Sequence, residues 1–394
     1  GAAEVAVPGA DGRGAAVPAR LTYPATARGD VVEQQFGVPV ADPYRWLEND
    51  VRSDDAVAQW VAAQNRVTNA YLATLPGRDA LAARMTQLFR YDRFGLPVNR
   101  GGHYFYTRND GTQNQAVLYV RDGLEGTGRP LIDPNSWASD GATALAEWVP
   151  SDDGTKLLYA VQDGGTDWRI VRVMDVATGA MLSDELRWVK FSGFTWAKDG
   201  SGFWYSRFPQ PVEGATFQST NANQALYFHR IGTPQSADTQ VYATPDHPSY
   251  SHHAELTDDG RYLLITTTEG TDDRYAVSIL DMRRPAAGVR PLISGLDNKW
   301  ELVGSEGTRL IFLTDKDAPR GRLVTMDARR PSTPVEIVGQ REATLQSAQR
   351  VGNRLILSYL GDASSQAEIV DLSGNRISQL TLGAIGTAAG FDGS

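Results

Sequence analysis

Apolar triplets recur along the chain, each preceded by a glycine with two residues between them. The series is Gly101 with Tyr104-Phe105-Tyr106, Gly154 with Leu157-Leu158-Tyr159, and Gly200 with Phe203-Trp204-Tyr205. It continues with Gly260 and Leu263-Leu264-Ile265, Gly307 and Leu310-Ile311-Phe312, and Gly352 and Leu355-Ile356-Leu357. The intervals of 53, 46, 60, 47 and 45 residues match the period of a β-propeller blade. Three apolar residues in a row are too continuous for a one-faced strand, so each triplet predicts a strand covered on both faces. An acid precedes the glycine at Asp153, Asp199, Asp259 and Glu306, as tight turns favour. A further strand ends in aspartate at Asp122, Asp175, Asp281, Asp327 and Asp371, which are 21, 21, 21, 20 and 19 residues after the glycine.

The third unit breaks the rule. Its Leu226-Tyr227-Phe228 strand arrives about ten residues late, and the surplus between Phe208 and Asn221 is polar. Such a stretch predicts a long loop on one face, of the kind that often carries function. A plain surface insertion is the other reading. A seventh copy opens at Asp392-Gly393-Ser394, where the sequence stops. The expected fold is mainly β: a seven-bladed β-propeller over residues 96–394, with six blades complete and the seventh truncated.

Residues 23–95 follow a different period. Ser53 is placed to cap a helix with Asp54 and Asp55 in its first turn, and Val57, Trp60, Val61, Gln64, Val67 and Tyr71 recur at helical spacing. After Pro76-Gly77, Leu81, Met85, Leu88 and Phe89 form one face of a second helix. This helical arm has two apolar stripes that must rest on something. Residues 1–22, rich in Ala, Gly and Pro, read as a disordered leader.

Composition removes several function classes. A net charge of −9 without a basic stripe argues against nucleic acid, and no apolar run is long enough to span a bilayer. With no cysteine, disulfides, thiol catalysis and cysteine-bound zinc are excluded. The same absence suits the cytoplasm and the periplasm, so a soluble protein of either compartment is expected. No Gly-x-Ser-x-Gly elbow, His-Glu-x-x-His or Gly-x-x-x-x-Gly-Lys occurs, which leaves no catalytic residue and no cofactor site to assign. His247, His252 and His253 invite a metal reading, but adjacent strand residues point to opposite faces and Asp258-Asp259-Gly260 is explained as a turn. No metal is therefore expected. Ser151-Asp152-Asp153-Gly154-Thr155 faintly resembles a sialidase Asp-box, with the wrong Asp-Gly spacing and no tryptophan.

Several longer matches carry a resemblance. They include Asp42-Pro43-Tyr44-Arg45-Trp46-Leu47-Glu48, Gln113-Asn114-Gln115, Leu131-Ile132-Asp133-Pro134-Asn135, Asp167-Trp168, Val189-Lys190-Phe191-Ser192 and Glu255-Leu256. From about residue 23 onward the chain resembles the N-terminal half of a prolyl oligopeptidase. The resemblance implies a serine peptidase that cleaves short peptides after proline. Its Ser-Asp-His triad lies in an α/β-hydrolase domain absent from these 394 residues, on which the arm packs. The propeller then covers the site and admits only short peptides, and the chain alone is not expected to be active. By the same resemblance Phe191 lines the substrate pocket, although composition alone reads it equally well as core. Ser251 and Thr271 fall near two further pocket positions and are small and polar where some relatives carry Met and Cys. The Phe208–Asn221 loop, including Thr216, takes a gating role. A free-standing propeller used as a binding module is the competing reading.

Overall fold

The computed structural model describes residues 21–393. Most of the segment read as a leader, residues 1–20, lies outside the described residues. The rest divides into two compact units, up to Phe89 and from Arg90 onward.

The first unit holds a short hairpin (Val32–Gln35 with Val38–Ala41) and two helices, α1 (Asp55–Ala73) and α2 (Arg78–Phe89). The cap of α1 is Asp54 rather than Ser53. Its carboxylate accepts from the amides of Ala56 (2.9 Å) and Val57 (3.2 Å), and Asn49 donates to it as well. A carboxylate satisfies these free amides and meets the positive helix end, which a serine hydroxyl does less well. Trp46 and Trp60 anchor the chain ahead of the helices, donating to the Ala27 carbonyl and the Thr26 hydroxyl at 2.9 Å each. Leu81, Met85, Leu88 and Phe89 on α2 are all more than half exposed.

The second unit contains six antiparallel sheets, each built from strands consecutive in sequence. Blade one spans Arg93–Phe94 to Arg129–Ile132, blade two Ala144–Pro150 to Met181–Val189, and blade three Phe194–Trp196 to Thr239–Tyr242. Blade four spans Tyr250–Leu256 to Arg290–Asn298, blade five Trp300–Glu306 to Val335–Val338, and blade six Thr344–Val351 to Arg376–Leu380. Apart from the hairpin of the first unit, no seventh sheet that could serve as a further blade occurs among the described residues. Residues after Leu380 cross from blade six, where the Ser365 amide donates to the Gly386 carbonyl (2.8 Å), toward Leu96 at the start of blade one, between its first two strands.

The apolar triplets have a direct structural meaning. The core consists of five clusters, each shared by two successive blades. In blade four, Leu263 and Ile265 pack toward blade three, while Tyr262 and Leu264 pack toward blade five. In blade five, Leu310 and Phe312 face blade four while Ile311 and Leu313 face blade six. Side chains alternate along a strand, so a strand between two neighbours needs apolar residues at every position. Burying one such side chain contributes about 1.5–3 kcal/mol, so the stacked faces account for most of the cohesion. All six turn glycines have φ between 58° and 71°, the left-handed region. The five aspartates each end a strand, and four of them (Asp175, Asp281, Asp327 and Asp371) cap the turn that follows by accepting a backbone amide.

Candidate functional site

Successive strands of a blade alternate in direction. The segment entering each inner strand and the connection from second to third strand therefore emerge at the same end of the propeller. Phe191 enters blade three, Ser251 begins the inner strand of blade four, and Thr271 lies in that blade's second connection. Residues 208–224 form the second connection of blade three. One face thus carries every sequence-assigned site residue.

Phe191 projects from the strand ends, 49% exposed, on a left-handed backbone (φ 53°), as does Trp188 (φ 63°). Neither is glycine, so both conformations carry strain that neighbours must hold. Buried Ser192 and Ser206 do part of this. The Ser206 amide donates to the Ser192 hydroxyl (2.8 Å), and the Ser206 hydroxyl donates to the His252 carbonyl (2.6 Å). Ser251 sits opposite Thr268, and Thr271 is exposed just past Gly270 (φ 57°).

The long connection is tied down at several points. The Phe208 ring is buried and meets Trp168 edge-on at 6.2 Å between centroids, and its amide donates to the Trp188 carbonyl (3.0 Å). The Thr216 carbonyl accepts from the Trp168 indole (2.7 Å), and Asn221 is exposed. At the far end Gln224 is buried. Its amide nitrogen donates to the carbonyls of Phe191 (3.1 Å) and Lys190 (3.3 Å), and its oxygen accepts from the His252 amide (2.7 Å). Pro209, Asn223, Gln224, Tyr227 and Tyr242 line a cavity of about 570 Å³ beside this junction.

Lys190 is buried, with its ammonium 3.9 Å above the Trp168 ring. Burial holds its pKa below the usual lysine value, opposed by the Asp167 charge. Of the adjacent histidines, His252 points inward and His253 outward, as alternation requires. His252 bonds the hydroxyls of Thr267 (2.9 Å) and Thr244 (3.0 Å), and burial, with His253 nearby, depresses its pKa to about 4. His247 instead stacks on Tyr250. Among the described residues no three His, Asp or Glu side chains converge as a metal site. No helix among them is long and apolar enough to cross a membrane.

Glu255 is solvent-accessible yet walled by protein. Desolvation first, then the charges of Glu301 and Asp258, raise its pKa to about 7. Those two neighbours already have cations, Lys299 at 2.9 Å from Glu301 and Arg350 at 2.8 Å from Asp258. With its folded pKa above the usual 4.5, Glu255 contributes stability at low pH that is lost as pH rises through about 7. Glu255→Gln is expected to raise the thermal midpoint at ~pH 8.5 and leave it unchanged at ~pH 4. Equal effects at both pH values in a pair of melting curves would refute this.

Sequence reasoning missed Gln224 and gave no role to Trp168 or Lys190. The latter two stood inside quoted motifs, whereas Gln224 has no local signal at all.

Residues 24–394 match the prolyl oligopeptidase N-terminal β-propeller domain. The chain is 33% identical over 375 residues to a prolyl endopeptidase of Elizabethkingia meningoseptica, covering 95% of this chain and 52% of that protein. It is 30% identical to a prolyl oligopeptidase of Omphalotus olearius, covering 90% and 50%. Among solved structures, one from a study of two prolyl endopeptidases, concerned with inter-domain dynamics in catalysis and specificity, is 44% identical. It aligns with a TM-score of 0.71 over 94% of this chain and 53% of its own. Prolyl oligopeptidase B from Galerina marginata, bound to a 35mer hydrolysis and macrocyclization substrate, aligns at 0.79 with 25% identity, covering 93% and 55%. The chain spans about half the length of the relatives it matches. These relatives favour the peptidase reading over the free-standing binding module. The chain belongs to the prolyl oligopeptidase family, and what it carries is that family's N-terminal β-propeller domain.

Proposed function

We propose that this propeller caps and gates the active site of a proline-specific serine endopeptidase acting on short peptides. The Ser-Asp-His triad would be supplied by an α/β-hydrolase half outside these 394 residues, leaving this chain inactive alone. The seventh blade would likewise be completed by residues outside this sequence. The apolar face of α2 (Leu81, Met85, Leu88 and Phe89) suits packing on that domain, because an exposed stripe of this kind marks an interaction surface. Enclosure would exclude water and strengthen the electrostatics of acyl transfer, and opening would belong to the catalytic cycle.

The observation that carries this reading is Phe191. A half-exposed aromatic ring held on a strained backbone, with the Lys190 ammonium 6.0 Å from its centre, is placed on the surface rather than in the core. It presents a flat apolar wall of the kind that binds a proline ring. Ser251 and Thr271 add a polar rim, and residues 208–221 form the gate. In the intact peptidase, Phe191→Ala is expected to raise KM for a proline peptide about tenfold, which corresponds to ~1.4 kcal/mol, with kcat changed less. Circular dichroism should be unaltered. An unchanged KM would remove Phe191 from the site.

A further inference from the structure

We infer that Gln224 is the positioning residue of this pocket: its side-chain amide joins the gating connection to the Phe191 backbone and to the inner strand of blade four. This rests on the reading of Phe191 as a pocket wall.

Three segments with no sequence proximity meet at one amide group. Gln224 is 1% exposed and ends the connection that begins at Phe208. Its nitrogen donates to two successive carbonyls, those of Lys190 and Phe191, and its oxygen accepts the His252 amide next to Ser251. Only a primary amide can do this, because the contact needs two N–H donors and one acceptor on the same planar group. Buried carbonyls and amides left without partners are costly, so each segment is held where Gln224 can reach it. Asn223, immediately before it, is itself left-handed (φ 63°) and donates to the Pro248 carbonyl (2.7 Å), fixing the angle at which Gln224 enters.

The other end of the connection grips the same strained segment. The Phe208 amide holds the Trp188 carbonyl, and Trp168 holds both the Phe208 ring and the Thr216 carbonyl. Trp188 and Phe191, the left-handed residues of the segment entering blade three, are therefore each fastened to one end of residues 208–224. A displacement of this connection must release or drag the Phe191 carbonyl. Gate position and pocket shape are coupled through Gln224.

The test is a double-mutant cycle in the intact peptidase, using Gln224→Met, which keeps length and loses the hydrogen bonds. Gln224→Met is expected to raise KM for a proline peptide about fivefold with kcat within about twofold. The Phe191→Ala/Gln224→Met double variant should have the KM of Phe191→Ala alone, because Gln224 acts through Phe191. Multiplicative losses in the double variant would assign Gln224 a general structural role and overturn the inference. Should Gln224→Met fail to fold, Gln224→Glu keeps the acceptor for the His252 amide and removes both donors. The same cycle then applies, and an unchanged KM overturns the inference. A raised KM in Phe191→Ala with an unchanged KM in Gln224→Met sinks the positioning role alone. An unchanged KM in Phe191→Ala sinks the pocket reading and this inference with it.

Discussion

Replacing His229 with leucine is expected to destabilise the propeller by about 3–5 kcal/mol, the cost of leaving buried charge uncompensated. His229 lies on the third strand of blade three with no exposed surface. One ring nitrogen meets Asp238 at 2.6 Å and the other meets Asp184, on the outer strand of blade two, at 2.7 Å. An imidazole can donate to two carboxylates only when both nitrogens carry protons. Burial alone would favour the neutral ring, but Asp238 and then Asp184 outweigh it and raise the pKa. Asp238 also accepts from the Tyr205 hydroxyl (2.5 Å), and Asp184 accepts from the Gly232 amide (2.7 Å). The cation is thus a strut between two blades, and it is the main compensation for Asp184, whose second carboxylate oxygen is buried without a hydrogen-bond partner.

Leucine at 229 would leave both carboxylates facing an apolar group. The denaturant midpoint should fall with the slope unchanged. A further variant isolates the cause: Asp184→Leu and Asp238→Asn added to His229→Leu should recover most of the loss, because the desolvation cost leaves with the charges. The sign of the pH effect follows from the raised pKa. The strut contributes fully below the ordinary histidine value and is lost as pH rises through the folded one. His229→Leu should therefore flatten the alkaline limb of the stability profile. A loss under about 1 kcal/mol would show that the pair with Asp184 and Asp238 is neutral to folding.

The contrast between this strut and the blade series explains what could be read from residues alone. Gly154, Leu157-Leu158-Tyr159 and Asp175 announce a blade because each is dictated by stereochemistry within a few residues: a positive φ, two covered faces, and a turn-capping carboxylate. The cap of α1 was misplaced by one residue because Ser53 and Asp54 are both good caps, and only the chain path decides between them. His229 and Asp184 are 45 residues apart, and Gln224 and His252 are 28 apart. No periodicity links such pairs. Their partnership exists only once neighbouring blades are stacked. Phe191 was reachable through its family motif, whereas the amide that holds it was not.

A second large effect is expected where two blades touch through backbone. Gly101 and Gly154 occupy equivalent turns of blades one and two, at the end of the propeller opposite Phe191. A Cβ on Gly101 would overlap the Asp153 carbonyl, and a Cβ on Gly154 would overlap the Arg100 carbonyl. The two turns clasp each other, and both need left-handed φ, 59° and 71°. Gly307 and Gly352 have the same conformation (φ 58° each), but nothing lies within 4 Å of where their Cβ would stand. Alanine at Gly307 should then cost only the left-handed penalty, about 1–2 kcal/mol. At Gly101 the overlap adds about 1–3 kcal/mol, because the obstacle is backbone and cannot rotate away. Gly101→Ala is therefore expected to lose about 2–5 kcal/mol in all, clearly more than Gly307→Ala in the same denaturant titration. Equal losses would mean that the turns at Gly101 and Gly154 slide apart freely, leaving blades one and two joined by their shared apolar cluster and by the Arg129 guanidinium on the Val176 carbonyl. The expected inequality instead makes this clasp a rigid joint. Asn99, Arg100, Asp152, Lys198 and Asp258 line a cavity of about 540 Å³ at this same end, with Lys198 paired to Asp152 at 3.1 Å. Loosening the clasp would move Arg100 relative to Asp152, so a change in the salt dependence of stability should accompany the loss in Gly101→Ala and be missing in Gly307→Ala.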